Sequence, residues 1–175
     1  MVTITISGMP GSGKSTVAEL LEDKLGLRYV YSGMIFREMA KKYNMSLEEF
    51  GKYCEGNSKI DKELDDRQLE ILKEGDVILE GRLAGWFAHR NNIPAFKVAL
   101  IADLETRAKR IVKREEGSVE KRKKEILKRE RSEALRYKKY YKIDIKDFSI
   151  YDLVIDSGDK TPEEIVDIII KKLDR

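Results

Sequence analysis

Apolar residues along this chain gather in short runs, and between the runs they recur every three or four positions. Strand-like runs stand at Val2–Ser7, Arg28–Tyr31, Asp76–Leu79, Lys97–Ile101 and Tyr151–Ile155. Helical patterns separate them, beginning with Thr16 to Leu25. That alternation predicts an α/β fold: five parallel strands in one sheet, with helices on both faces to make three layers. Several helix starts can be read from the side chains. Ser46-Leu47-Glu48-Glu49 has the spacing of a capping box. Thr161-Pro162-Glu163-Glu164 supplies an N-cap, a proline at the first helical position and a glutamate at the third. In the helix that follows, Ile165, Ile168, Ile169 and Leu173 share one stripe, which predicts a core-facing side.

Two stretches break the alternation. Ser32 to Glu74 holds two or three helical segments where a single crossover would suffice, and Ala102 to Ser149 is also over-long, with charge dominating from Arg107 to Lys146. Long segments over the mouth of a phosphate site commonly serve as lids or binding subdomains. No repeat, low-complexity tract or interdomain linker is present, so residues 1–175 are expected to form one domain.

The turn after the first strand carries the strongest chemical signal. Gly8-Met9-Pro10-Gly11-Ser12-Gly13-Lys14-Ser15 is Gly-x-x-x-x-Gly-Lys-Ser, placed between a strand and a helix. Its glycines let successive backbone N–H groups turn inward onto a polyphosphate, and the positive end of the following helix adds to that field. Residues Gly8 to Thr16 are therefore expected to bind ATP, with Lys14 reaching the β- and γ-phosphates and the Ser15 hydroxyl ligating Mg²⁺. The fold expected is that of the P-loop NTPases.

Composition narrows the class without naming a partner. Charged residues make up 38% of the 175 residues, yet the formal net charge is only +3. Lys and Arg are interspersed with Glu and Asp, so the chain is expected to handle small nucleotides rather than nucleic acid. The single Cys54 excludes an internal disulfide and reads as a small apolar residue on a helix. No apolar run approaches the length of a membrane span and no signal segment is visible at the start, which leads us to expect a soluble, cytoplasmic monomer without membrane partners.

Arginines dominate the remaining candidates. Arg37, in Tyr31-Ser32-Gly33-Met34-Ile35-Phe36-Arg37, leaves the second strand toward the crevice, and Arg82 ends the third strand in Leu79-Glu80-Gly81-Arg82. Glu80 is placed to act through a Mg²⁺-bound water. Within Arg129-Glu130-Arg131-Ser132-Glu133-Ala134-Leu135-Arg136, residues Arg129, Glu133 and Arg136 share one helix face. Arg107, Arg110 and Arg114 form a second stripe, and His89 reads as a surface loop residue. Phosphoryl transfer requires cations over the equatorial oxygens, and an alcohol acceptor also requires a base. The candidates are rich in arginine and poor in bases, which favours a phosphate as acceptor. Lys14, Arg82, Arg129 and Arg136 are the expected catalytic cations.

Taken in order, several motifs resemble the nucleoside monophosphate kinases, and within them the archaeal type of cytidylate kinase. They are Ser32-Gly33-Met34-Ile35-Phe36-Arg37, Met45-Ser46-Leu47-Glu48-Glu49-Phe50-Gly51, Ile60-Asp61-Lys62-Glu63-Leu64-Asp65, Glu80-Gly81-Arg82-Leu83-Ala84-Gly85-Trp86 and Tyr151-Asp152-Leu153-Val154-Ile155. The resemblance implies an adenylate-kinase-like arrangement: a core (1–31, 75–116 and 142–175), a monophosphate-binding segment (32–74) and a helical lid (117–141). It implies transfer of a phosphoryl group from ATP to CMP or dCMP, with Mg²⁺. It also implies that Ser32, Gly33, Arg37, Gly81, Arg82 and Glu133 contact the acceptor. The lid array is similar to the Arg-Asp-x-x-Asp-x-x-Arg of bacterial cytidylate kinases, with Glu130 and Glu133 replacing both aspartates. Those enzymes place a cytosine-reading aspartate where this chain has Leu83. Cytosine offers an N4 amino donor, so Asp61, Asp65 and Arg67 are the expected replacements. Adenylate, UMP and shikimate kinases share the fold and are the competing activities, and an RNA-associated ATPase competes from another class.

Overall fold

The computed structural model describes residues 1–174; Arg175, the last residue of the expected core, lies outside them. The first strand, β1 (Thr3–Gly8), runs between β3 (Val77–Glu80) and β4 (Phe96–Ile101). Strand β2 (Arg28–Tyr31) lies beyond β3, and β5 (Leu153–Asp156) lies beyond β4. All neighbours are parallel, giving the order β2-β3-β1-β4-β5. Their register sets Ile6 beside Glu80, Tyr31 beside Glu80 and Gly8 beside Leu100. The strands therefore end along one rim. The chain crosses from β1 to the far edge, returns to β3, and only then continues on the other side through β4. That reversal opens a crevice at the carboxyl end of β1, where doubly wound sheets bind their ligands.

Strand β3 serves two cores because its side chains alternate between faces. Ile78 packs with Ile4, Ile6, Val17, Leu21 and Ile169 under α1 (Lys14–Leu25) and α8 (Pro162–Leu173). Val77 and Leu79 face the opposite side, with Ile71, Phe50 and Phe87. That side is covered by α2 (Ser32–Lys42), α3 (Leu47–Glu55), α4 (Ser58–Glu74) and α5 (Ala84–Arg90). Both predicted capping boxes are present, at Ser46–Glu49 and Thr161–Glu164. The remaining helices, α6 (Leu104–Glu115) and α7 (Val119–Tyr141), form an arm around a separate small core of Ala108, Ile111 and Ile126. Glu116 and Gly117 turn the chain between them with positive φ of 64° and 99°.

Several details depart from the sequence-based expectations, beginning with β1 and β4, which run Thr3–Gly8 and Phe96–Ile101 where Val2–Ser7 and Lys97–Ile101 were expected. Helix α1 begins at Lys14, two residues before Thr16, so its first turn is continuous with the glycine-rich loop. Strand β3 starts at Val77 because Asp76 takes φ 46°, a left-handed conformation no strand accommodates. Strand β5 starts at Leu153, leaving Tyr151 outside it. Helix α5 was not foreseen: apolar Ala84–Ala88 give it no polar face to read, since all five are buried. His89 therefore sits exposed in the last turn of a helix and not in a loop. Cys54 is half-buried on α3 against the apolar core, as its type predicts.

Candidate active site

Two glycines give the turn after β1 its shape. Gly11 and Gly13 adopt φ of 79° and 92°, values that side chains other than hydrogen rarely tolerate. A Cβ at Gly11 would also lie 2.6 Å from the Arg107 carbonyl oxygen. The loop's carbonyls are tied outward. Arg110 Nη1 donates to Gly11 O at 3.2 Å and to Ser157 Oγ at 3.0 Å, and Ser157 Oγ donates to Ser12 O at 2.7 Å. Within the loop, Ser12 N–H donates to Met9 O at 3.1 Å. A cavity of about 450 Å³ opens there, bounded by Pro10–Val17, Arg82, Arg110, Arg129 and Lys160. Lys14 is buried beside it, with Nζ 3.3 Å from Met9 O. Burial, and secondarily the positive charge of Arg82, lower the Lys14 pKa to about 8.

Ser15, the expected metal ligand, donates from Oγ to Glu80 Oε2 at 3.1 Å. The Tyr29 hydroxyl donates to the same oxygen, and burial together with that hydrogen bond raises the Tyr29 pKa well above its ordinary value. A hydroxyl and a carboxylate are the hard oxygen donors that Mg²⁺ accepts beside phosphate oxygens, so these residues fit the ion. Among the described residues no cluster of three His, Cys, Asp or Glu side chains is suited to hold a metal alone.

Arg82 bridges the loop and the arm. Its Nη1 donates to Gly8 O at 3.2 Å, and its Nε donates to Glu133 Oε2 at 2.6 Å. The other Glu133 oxygen accepts from Arg129 Nε at 3.0 Å. Glu133 is buried, whereas the Arg129 side chain is 64% exposed at the edge of the phosphate cavity. The predicted helix face thus gathers Arg82, Glu133 and Arg129. Arg136, one turn further on, departs from the expected catalytic group: it is exposed beside Tyr137 and borders a different cavity. The second arginine stripe divides in the same way. Arg110 clamps the loop, while Arg107 is buried in an ion pair with Glu130 and supports the arm.

That second cavity, about 1,020 Å³, lies over α2, α4 and α7. Ser32 and Gly33 border it from the start of α2, and Asp61, Asp65 and Gln68 from one face of α4. Gly81 approaches the same place, since a Cβ built on it would lie 3.6 Å from Gln68 Oε1. Burial pushes the Asp65 carboxyl up to about 6, against a lowering hydrogen bond from Tyr141. Four expected acceptor residues do not line this cavity: Arg82 and Glu133 pair with each other beside the phosphate loop, and Arg37 and Arg67 stand elsewhere. Arg67 is on another face of α4, held by Glu70 at 3.2 Å, Glu74 at 3.5 Å and Glu38 at 3.8 Å. Arg37 lies over the Tyr31 ring, 5.7 Å from its centroid, and donates to the Tyr31 hydroxyl at 2.7 Å. Sequence reasoning missed Gln68, although it stands seven residues after Asp61 and so on its face. It also missed Tyr137, Tyr140 and Tyr141, aromatics in an otherwise charged helix, and Arg90, which caps that helix.

Comparison with known proteins accords with this geometry. A model of the cytidylate kinase-like family matches residues 3–159. A cytidylate kinase of Methanocaldococcus jannaschii is 48% identical over 172 residues, covering 98% of this chain and 97% of that protein. A cytidylate kinase of Pyrococcus horikoshii is 45% identical over 173 residues, covering 99% of this chain and 88% of that one. Among solved structures, an uncharacterised protein from Eubacterium ventriosum superposes with a TM-score of 0.75 at 20% identity, covering 99% of both chains. A shikimate kinase from Bacteroides thetaiotaomicron does so at 0.67 and 14%, again over 99% of both chains, so that likeness concerns the fold alone.

Proposed function

The chain belongs to the cytidylate kinase-like family, and we propose that the phosphate-loop cavity and the cavity over α2, α4 and α7 hold ATP and CMP or dCMP end to end, so that the γ-phosphoryl group passes directly to the acceptor phosphate. One observation carries this reading: a single face of α7 sets Arg129 at the phosphate-loop cavity and Arg136 at the acceptor cavity, with Glu133 and Arg82 between them. A phosphate acceptor calls for a guanidinium on its own side of the transfer as well as on the donor side.

Donor phosphates would rest on the N–H groups of Gly8 to Thr16, with Lys14 donating to their β- and γ-oxygens. Bound Mg²⁺ would supply charge compensation there, held by Ser15 and by phosphate oxygens, with Glu80 orienting the hydroxyl. Arg82 and Arg129 would meet charge that develops on the transferring group; Glu133 presents both side chains in advance, which reduces reorganisation at the moment of transfer. No general base is required because the acceptor phosphate is already ionised. Ser32, Gly33 and Arg136 would contact the acceptor nucleotide, and Arg37 would join them after leaving the Tyr31 ring. Asp61, Asp65 and Gln68 would read the base: a carboxylate accepts from the cytosine N4 amino group, and an amide can donate to N3 or O2. We assign residues 32–74 as the acceptor segment and 117–141 as the lid; closure of the arm over the phosphates would exclude water and prevent wasteful hydrolysis.

An assay of ADP formation across CMP, dCMP, UMP, AMP and RNA tests the reading. Turnover should be highest with CMP or dCMP. ATP consumption that responds to RNA and ignores every monophosphate would reject it.

A further inference from the structure

Tyr141, the last residue of α7, is fixed from several directions. Its carbonyl accepts from Arg90 Nη1, and Arg90 Nη2 donates to the Lys142 carbonyl at 2.8 Å. Its ring meets Phe87 edge-on with centroids 5.9 Å apart, and Tyr137 lies 6.3 Å away on another side. The hydroxyl alone is left to reach across the acceptor cavity, where it donates to Asp65 Oδ2. That is the one hydrogen bond to the Asp65 carboxyl among the described residues.

A phenol has a single proton to donate. Given to Oδ2, it leaves the rest of the Asp65 carboxylate as an acceptor facing the cavity. We propose that Tyr141 is a specificity-determining positioning residue: by donating to Asp65 it holds that side chain as an acceptor, so that cytosine is admitted through its N4 amino donor and uracil is refused. Uracil places a carbonyl oxygen where cytosine has the amino group, and two acceptors repel. The inference rests on the reading of Asp65 as a base-reading residue. Its novelty is that the lid helix, and not the acceptor segment, decides the hydrogen-bonding sense of that carboxyl.

The surroundings make the Tyr141 proton decisive. Burial pushes Asp65 up to about 6; the Tyr141 hydrogen bond pulls it down, and the like charges of Asp61 and Asp66 push it further up. The other titratable or charged groups on the cavity are Lys62 of α4, Cys54 and Glu55 of α3, and Arg136, Tyr137 and Tyr140 of α7. None of them is hydrogen-bonded to Asp65. Once protonated, Asp65 offers a donor beside an acceptor, which suits the O4 and N3–H edge of uracil. Discrimination should therefore be present above the Asp65 pKa and lost as pH falls through it.

The test is the ratio of kcat/KM for CMP to that for UMP, measured from pH 5 to 8 in the native protein, Tyr141→Phe and Asp65→Ala. Both nucleotides carry the same phosphate, so its ionisation cancels in the ratio. The native ratio should be highest at pH 8 and fall through about pH 6. Phenylalanine keeps the ring contacts and removes the proton. Losing one hydrogen bond to the charged form should move the midpoint up by about one pH unit and lower the ratio at pH 7 about tenfold. A Tyr141→Phe profile that coincides with the native one, while Asp65→Ala abolishes the CMP preference, overturns the proposal and leaves the base reading standing. A CMP preference that survives Asp65→Ala removes both.

Discussion

The donor side of the crevice is built from backbone and the acceptor side from side chains. Around the phosphate loop, recognition rests on the conformations of Gly11 and Gly13 and on carbonyls tied back by Arg110 and Ser157. Across the rim, α2, α4 and α7 each contribute one face to a cavity lined by Ser32, Asp61, Asp65, Gln68 and Arg136. The first arrangement is one contiguous loop, braced by two side chains distant in sequence. The second is assembled from segments more than a hundred residues apart, and it is the side to which we assign base reading. Fidelity in such a site should then be separable by mutation from phosphate chemistry.

The strongest test of that separation is Lys14→Ala. Lys14 is buried at the loop and has no contact with the acceptor cavity. Its loss should lower kcat by on the order of 100- to 1,000-fold, as for other preorganised donors. The Kd for CMP measured by calorimetry should stay within about twofold, since the change removes no group from that cavity. A large weakening of CMP would mean that the two sides are not independent.

Arg110→Ala probes the same side through positioning. Arg110 makes hydrogen bonds to Gly11 O and to both Ser157 Oγ and Ser157 O. Removing these should loosen the loop at a cost of about 1–2 kcal/mol, visible as a roughly tenfold rise in KM for ATP with KM for CMP unchanged. An unchanged KM for ATP would show that glycine conformation alone suffices to shape the loop.

The same division explains what could be read from the chain. The phosphate loop is contiguous, so spacing alone located Gly8 to Thr16, and the alternation of short strands with helices gave the parallel sheet. The capping boxes at Ser46 and Thr161 were equally local. The acceptor side depends on which helix face turns inward, and periodicity leaves that choice open on a charged helix. Asp65 and Arg67 were grouped from sequence, yet two positions correspond to about 200° around a helix. They therefore point in opposite directions, Asp65 to the cavity and Arg67 to Glu70 and Glu74. Arg107 and Arg110 likewise belong to one stripe in sequence, but Arg107 meets Glu130 of the partner helix and Arg110 meets the loop. Such assignments require tertiary structure.

Smaller effects sharpen the acceptor side. Gln68 faces Gly81 and borders the cavity beside Asp65. Gln68→Ala should remove one neutral hydrogen bond to the base, about 1 kcal/mol, and reduce kcat/KM for CMP about fivefold without altering KM for ATP. A loss confined to ATP would place Gln68 on the donor side instead.

Arg67→Ala should have the smallest effect, and for that reason it defines where the acceptor face ends. The Arg67 side chain is 34% exposed and those of its partners Glu38, Glu70 and Glu74 are 61%, 65% and 48% exposed. Ion pairs this open to solvent are each worth roughly 0–1 kcal/mol, so losing all three should lower stability by no more than about 3 kcal/mol. With no contact to the cavity, Arg67 should also leave kcat/KM for CMP within about twofold. The comparison that decides is with Gln68, its immediate neighbour in sequence. If alanine at 67 costs as much CMP activity as alanine at 68, then α4 turns when nucleotide binds, and the cavity face described here is not the one that reads the base. If the two differ as expected, one hundred degrees of helix separate a base-reading position from a solvent-facing one.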